Sequence, residues 1–376
     1  MLQRECTLTC GVAKVVYCGC LDESVAACLD AVIKSPSPGE SDSLNLRVLT
    51  AKCTKRREME NQEHMSSAYK RLSCGCNGET KLQSVAVVGC NGYLGRHIVR
   101  SLHHDGFSCC GYDVHESDVA NCRTYQQCDI TRQDFWFSLK PFNHVAIVFL
   151  AGLSGVEKSF IEPERFLSVN VMGLLRLLES LKGFGSAAPR IIFTSSRLVY
   201  EGGGEVDESA TRMARSVYAA TKTACEELLS AYHARYGIPY VVLRICVPYG
   251  NLVSKDYSYG TMGFFLNRLR QGLPITVWGD GSIKKTYTYI GDICKIVSGM
   301  CSRSLPCGIF NVGGHDYSLR EVAELVVGRF GGSFETVPCP EDAQKVEMGN
   351  ISLLSNKLDG LMDLHYERLE DHLDEL

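Results

Sequence analysis

No stretch of this 376-residue chain approaches the roughly 18 uninterrupted apolar residues that a membrane span requires. Charge of one sign is not in excess either: 39 lysines and arginines stand against 43 aspartates and glutamates. That balance supplies no field to draw nucleic acid or an anionic membrane. Low-complexity tracts, collagen periods and heptads are missing as well. The opening MLQRECTLTCGVAKVVYCGCLDES is mildly apolar, but Glu5, Lys14 and Asp22 interrupt it before a signal-peptide core can form. The final LDEL has Leu373 where an ER-retrieval signal carries Lys or His, and reads as the end of an amphipathic helix, YERLEDHLDEL. The expectation is a cytoplasmic protein with no membrane and no nucleic-acid partner.

Cysteine, by contrast, is plentiful. An odd total of 19 without a secretory signal argues for reduced thiols, and Cys109, Cys110, Cys246 and Cys294 lie in apolar runs as small hydrophobes. Residues 1–80 hold eight of the nineteen, with a turn-rich SPSPGESDS and a charged run at 52–64. Cys18/Cys20 and Cys74/Cys76 would make a four-thiolate zinc site only without the usual two-residue spacer, so free thiols are preferred and no metal is assigned. This part reads as a Cys-rich extension of unknown role, with translation starting at Met59 or Met65 as an alternative.

From Ser84 onward, apolar runs at 84–89, 107–114, 145–152, 190–196 and 240–246 alternate with helical stretches. Runs apolar on both faces are parallel strands covered on two sides, and the alternation predicts an α/β, doubly wound parallel sheet. The boundaries expected are a dinucleotide-binding Rossmann domain over 84–246 and a smaller C-terminal substrate-binding lobe over 247–376. Segments at about 286–315 are expected to return to the first domain.

Gly89, Gly92 and Gly95 stand between the first strand and its helix, where bare backbone can approach a pyrophosphate and the helix N-terminus favours negative charge. Asp113 ends the second strand, placed to accept from ribose hydroxyls and to repel a 2′-phosphate, so NAD is favoured over NADP; a helix-capping role is the alternative. Asp129 and Ile130 end the third strand, beside the expected adenine. Tyr218 and Lys222 project from one helix face one turn apart. A neighbouring ammonium and a positive nicotinamide would lower a phenol's pKa from near 10 toward the working range. Ser196, ending the strand FTSS, can hold the substrate oxygen as the proton moves.

In this order the residues resemble the extended short-chain dehydrogenase/reductases, and among them nucleotide-sugar epimerases of the UDP-galactose 4-epimerase type. The resemblance runs from about Ser84 to the C-terminus. It rests on the glycine loop, Asp113, Asp129, LAG at 150–152, Asn170, TSS at 194–196, Tyr218/Lys222, and LR with YG at 243–250. It implies an NAD site that also takes in Asn91, Tyr93, Leu94, Leu150, Ala151, Gly152 and Asn170. It implies Ser196, Tyr218 and Lys222 as catalytic residues, and a substrate side with Ser154, Ser196, Arg197, Val247, Asn251 and Lys285. The implied reaction is a transient oxidation of a nucleotide-diphosphate sugar, most often to a 4-keto sugar, followed by reduction on the other face. A homodimer through the Tyr-Lys helix and the helix of residues 163–182 is implied too. The related 4,6-dehydratases place Asp-Glu after the catalytic hydroxyl; Arg197 and Leu198 stand there instead, which ranks dehydration and decarboxylation low. Three departures touch the substrate side: Val247 for an asparagine, Asn251 for a proline, and Lys285 for an arginine that would fork a diphosphate. A keto-sugar or small-carbonyl reductase is the enzyme alternative, and an NAD-binding scaffold or sensor the non-enzyme one.

Overall fold

The computed structural model describes residues 6–10, 13–17, 82–116, 121–132, 144–253, 259–302, 304–346 and 348–376. The chain divides into two compact units, Met1–Glu79 and Thr80–Leu376. In the first, Cys6–Cys10 pairs antiparallel with Ala13–Tyr17. Cys18, Cys20, Cys74, Cys76, Met59 and Met65 lie outside the described residues.

The second unit is built on seven parallel strands: β1 (Ser84–Val88), β2 (Ser108–Asp113), β3 (Thr124–Gln127), β4 (Ala146–Phe149), β5 (Arg190–Ser196), β6 (Tyr240–Ile245) and β7 (Gly308–Asn311). Their spatial order is β3-β2-β1-β4-β5-β6-β7, the doubly wound arrangement expected. The order reverses between β1 and β4, and ligands of open α/β sheets bind at that reversal, beyond the carboxyl ends of the strands. Strand alternation splits the core in two. Val85 and Val87 face a layer with Ile98, Val99 and Leu102 of helix α1 (Tyr93–His104), while Ala86 and Val88 face Leu174, Leu177, Leu178, Cys225 and Leu229.

That second layer is formed by helix α2 (Gly173–Leu181) and helix α3 (Val217–Tyr236). The helix expected over 163–182 is interrupted: Pro163–Phe166 is α-helical, Leu167–Met172 is π-helical, and α2 follows. Ser216 caps α3 by accepting from Ala219 N–H at 3.1 Å, and Gly237, at φ +76°, ends it.

A second sheet orders Val247–Tyr249, Lys284–Tyr289, Ile351–Leu353 and Gly204–Val206 side by side, with His315–Ser318 antiparallel to Lys284–Tyr289. The chain crosses between sheets: Gly204–Val206 leaves the first half for the second sheet, and β7 returns to the first. The C-terminus is a 3-10 segment, Leu369–Glu375, kinked at His372, in place of the amphipathic α-helix expected there. No described helix is long and apolar enough to cross a membrane.

Candidate active site

Gly89 N–H donates to Tyr112 O at 2.7 Å, which draws the loop after β1 against the end of β2. Gly89 has φ +89°, and a Cβ there would lie 2.6 Å from Ala151 N; one on Gly95 would lie 2.2 Å from Gly89 O. Both glycines are therefore fixed by space. Helix α1 starts at Gly92 with no side-chain cap and no acid in its first turn, so its leading N–H groups and positive dipole end remain for an anion. Behind the loop, Asp113 accepts from Asn91 N–H at 2.9 Å and from His115 N–H at 3.2 Å. Asn91 gives its side-chain amide to Glu116 O at 2.8 Å. The carboxylate thus also ties the loop together, a task the strand-end position alone does not reveal.

A cleft opens above this cradle. Of the expected residues, Gly89, Gly92, Tyr93, Leu94, Gly95, Leu150, Gly152, Ser154, Ser196, Tyr218 and Lys222 line it. Thr194 and Ser195 of the TSS motif and Cys246 line it too, as do Leu153, Ile245, Pro248 and Tyr259, which the sequence did not single out. Tyr259 stacks on Tyr93 with ring centroids 4.3 Å apart, and Tyr93 donates its hydroxyl to Gly250 O at 2.8 Å. No local pattern marks Tyr259; the stack joins residues far apart in the chain.

The remaining expected residues stand in or behind the walls. Asn170, 2% exposed, accepts from Leu153 N–H at 2.7 Å and donates to Leu153 O and to Thr221 Oγ1, so it clamps the loop after β4 to α3 and does not line the cleft. Ile130 is buried in the α2–α3 layer against Gly173, and Asp129 accepts from Thr131 N–H. Ala151 donates its N–H to Val88 O. Asn251 Oδ1 lies 3.2 Å from His97 Nε2. Val247 and Lys285 sit in the second sheet on adjacent parallel strands. Arg197 opens the 3-10 turn that follows Ser196.

Lys222, 8% exposed, donates from Nζ to Thr194 O at 2.8 Å and lies 4.6 Å from the Phe193 ring centroid. Loss of water lowers its pKa, with Cys225 and Glu226 opposing. The Tyr218 phenol is pushed up to about 12 by burial, against a hydrogen bond with Ser196 and the Arg197 charge, which both lower it. Ser196 and the Arg197 charge act to acidify the phenol, and Lys222 Nζ lies 5.8 Å from its ring centroid.

A buried ion pair supports β5. Arg244 on β6 bonds Glu226 on α3 through Nε at 3.0 Å and Nη2 at 2.6 Å, and Ser195 Oγ donates to the same carboxylate at 2.5 Å. Among the described residues no group of three or more His, Cys, Asp or Glu could hold a metal ion, and the eleven cysteines from Cys90 to Cys339 are free thiols.

Residues 85–313 match the model of the NAD dependent epimerase/dehydratase family. A UDP-glucuronate 4-epimerase of Thermodesulfobacterium geofontis is 28% identical over 261 residues, covering 64% of this chain and 78% of that protein. UDP-glucuronate 4-epimerase 6 of Arabidopsis thaliana is 30% identical over 234 residues, 56% of this chain; the match spans only 50% of the plant protein. Among solved structures, a Thermus thermophilus UDP-glucose 4-epimerase complex with NAD superposes with a TM-score of 0.69 at 25% identity, covering 78% of this chain and 97% of that one.

Proposed function

Because the chain belongs to the NAD dependent epimerase/dehydratase family, we propose that it is an NAD-dependent epimerase of a nucleotide-diphosphate sugar, working through a transient 4-keto sugar. The observation that carries this reading is convergence: Ser196, Tyr218 and Lys222 meet the glycine cradle in one cleft. The cradle suits a dinucleotide, since both glycines admit no side chain and the α1 N-terminus carries no cap.

NAD bound there supplies reversible hydride acceptance at the sugar carbon. The chain's own residues manage the proton and the geometry. Ser196 steadies the sugar oxygen, and Tyr218 removes its proton and later returns it. Lys222, held by Thr194 O, would bond the nicotinamide ribose. Asp113 favours NAD over NADP by repelling a 2′-phosphate. Lys285 would supply charge toward the diphosphate, with Ser154, Val247 and Asn251 as further substrate-side residues. Arg197 and Leu198 stand where a dehydratase carries its acid and base, which favours epimerisation.

The protein is further proposed to act in the cytoplasm as a homodimer. In the segment leading into α2, Phe160, Ile161, Leu167 and Met172 are 54%, 77%, 49% and 39% exposed, an apolar face that a second copy would cover.

The test is to denature the purified protein, identify the dinucleotide released, and screen nucleotide sugars for isomer exchange with no external cofactor. Exchange without net redox change supports the epimerase. Stoichiometric consumption of NADPH would instead assign the reductase, and retained NAD with no turnover of any sugar would leave a binding protein.

A further inference from the structure

We propose that Cys90 and Cys122 form a dithiol site for peroxide, closing to a disulfide that weakens dinucleotide binding. Cys90 stands inside the glycine loop, between Gly89 and Asn91, and is fully buried. Cys122 is half-buried and lies just ahead of β3, an edge strand of the seven-stranded sheet. Gly111 of β2 brings them together: a Cβ there would stand 2.9 Å from Cys90 Sγ and 2.8 Å from Cys122 Sγ. The bare strand residue leaves the room that both sulfurs share. Other buried thiols are engaged by backbone, since Cys109 donates to Val99 O and Cys225 to Asn170 O. Cys90 and Cys122 are instead hydrogen-bonded to each other.

The two thiols are unequal. Their hydrogen bond, with burial behind it, raises the pKa of Cys90, and the same bond lowers that of Cys122. Cys90 is thus the donor, while Cys122 has a face to solvent and meets the oxidant. The Cys122 thiolate attacks one oxygen of hydrogen peroxide; the O–O bond breaks, Cys122 becomes a sulfenic acid and hydroxide leaves. The Cys90 sulfur then attacks the Cys122 sulfur, the S–O bond breaks and a second hydroxide leaves. The protons of the two thiols convert both hydroxides to water. The sulfurs give up two electrons and the peroxide takes them.

A covalent bond holds the sulfurs closer than a hydrogen bond does, so closure pulls Cys90 toward Cys122. The loop has little room to follow. A Cβ on Gly95 would lie 2.7 Å from both Cα and O of Cys90, and the N–H groups of Gly89 and Cys90 donate to Tyr112 O. The next residue, Asn91, gives its N–H to Asp113. Displacement of Cys90 therefore disturbs the cradle on both sides, and by linkage NAD and the disulfide oppose each other.

The experiment treats the cofactor-stripped full chain with one equivalent of hydrogen peroxide, alkylates the remaining thiols and maps disulfides by peptide mass spectrometry. Calorimetry gives Kd for NAD before and after. A peptide pair joining Cys90 to Cys122 is expected, with an NAD Kd about tenfold higher that dithiothreitol restores. Saturating NAD should suppress the pair. In Cys122→Ser, whose Kd before treatment shows that the site folds, peroxide should leave NAD binding unchanged. Oxidation of other thiols with Cys90 and Cys122 still alkylated overturns the inference. So does a pair that forms equally with NAD present or without change in Kd, or a Kd that responds as strongly in Cys122→Ser.

Discussion

Tyr218 sits in a place where loss of water holds its proton on, and the pull of Ser196 and Arg197 does not undo this. A phenol pushed up to about 12 is inert as a base at neutral pH. Added positive charge at the nicotinamide end of the cleft is what would bring it down, so the base is expected to act only when cofactor is in place. The residues that meet in the cleft were legible because their signals are local: a four-residue spacing, a glycine loop after a strand, a serine at a strand end. Arg197 was expected on the substrate side and marked the absence of a dehydratase acid. That its guanidinium acts on the phenol follows from tertiary packing, which no spacing encodes. Asp113 ties the loop and is proposed to read the ribose, and Asp113→Asn separates the two. It keeps an acceptor for Asn91 N–H while removing the charge that repels a 2′-phosphate. The ratio of Kd values for NADP and NAD, measured on cofactor-stripped protein, should fall by about tenfold, or about 1.4 kcal/mol. An unchanged ratio would mean that another residue reads the ribose.

Helix α3 presents Tyr218, Lys222 and Glu226 at four-residue intervals along one face, and each meets a different part of the sheet. Lys222 reaches the backbone of β5, and Glu226 binds Ser195 of β5 and Arg244 of β6. Helix α3 is thus pinned at two levels to the strand that ends in Ser196. Glu226→Ala should cost about 3–5 kcal/mol, because Arg244 would be left buried and uncompensated. Its urea midpoint should drop accordingly; a loss below about 1 kcal/mol would show that the pair does not brace the site. Strands and long helices followed the apolar pattern, since burial on both faces dictates it. Two elements did not follow. The π-helical Leu167–Met172 replaces a continuous helix where Asn170 turns inward to grip Leu153 and Thr221, a demand set by distant partners. In the C-terminal segment, Leu369 and Leu373 are buried at the expected spacing, but its polar residues are claimed by other elements. Tyr289 stacks on His372 at 3.7 Å and donates to Glu375, and Tyr317 donates to Glu370. These contacts accompany the kinked 3-10 form at the expense of a regular helix.

At the scale of the whole Thr80–Leu376 unit, the chain passes back and forth between the seven-stranded and five-stranded sheets. The sequence boundary near residue 246 marks where regular alternation stops, yet Gly204–Val206 and β7 each cross it. Crossings of this kind are invisible to periodicity, because a three- or four-residue strand leaves too little pattern to say which sheet it joins. The apolar face at Phe160, Ile161, Leu167 and Met172 leads to a prediction at this scale. Sedimentation at micromolar concentration should give a dimer, and Ile161→Glu should shift it toward monomer while leaving the dinucleotide bound. A natural protein that sediments as a monomer would remove the second copy from the account.

The central claim is that the Tyr218 phenol moves the substrate proton. Turnover of the accepted nucleotide sugar and dinucleotide content should be measured together on the natural protein and on Tyr218→Phe. The account predicts that interconversion falls at least about a thousandfold while bound NAD is unchanged. Retained turnover in Tyr218→Phe, or loss of NAD in step with activity, would contradict it.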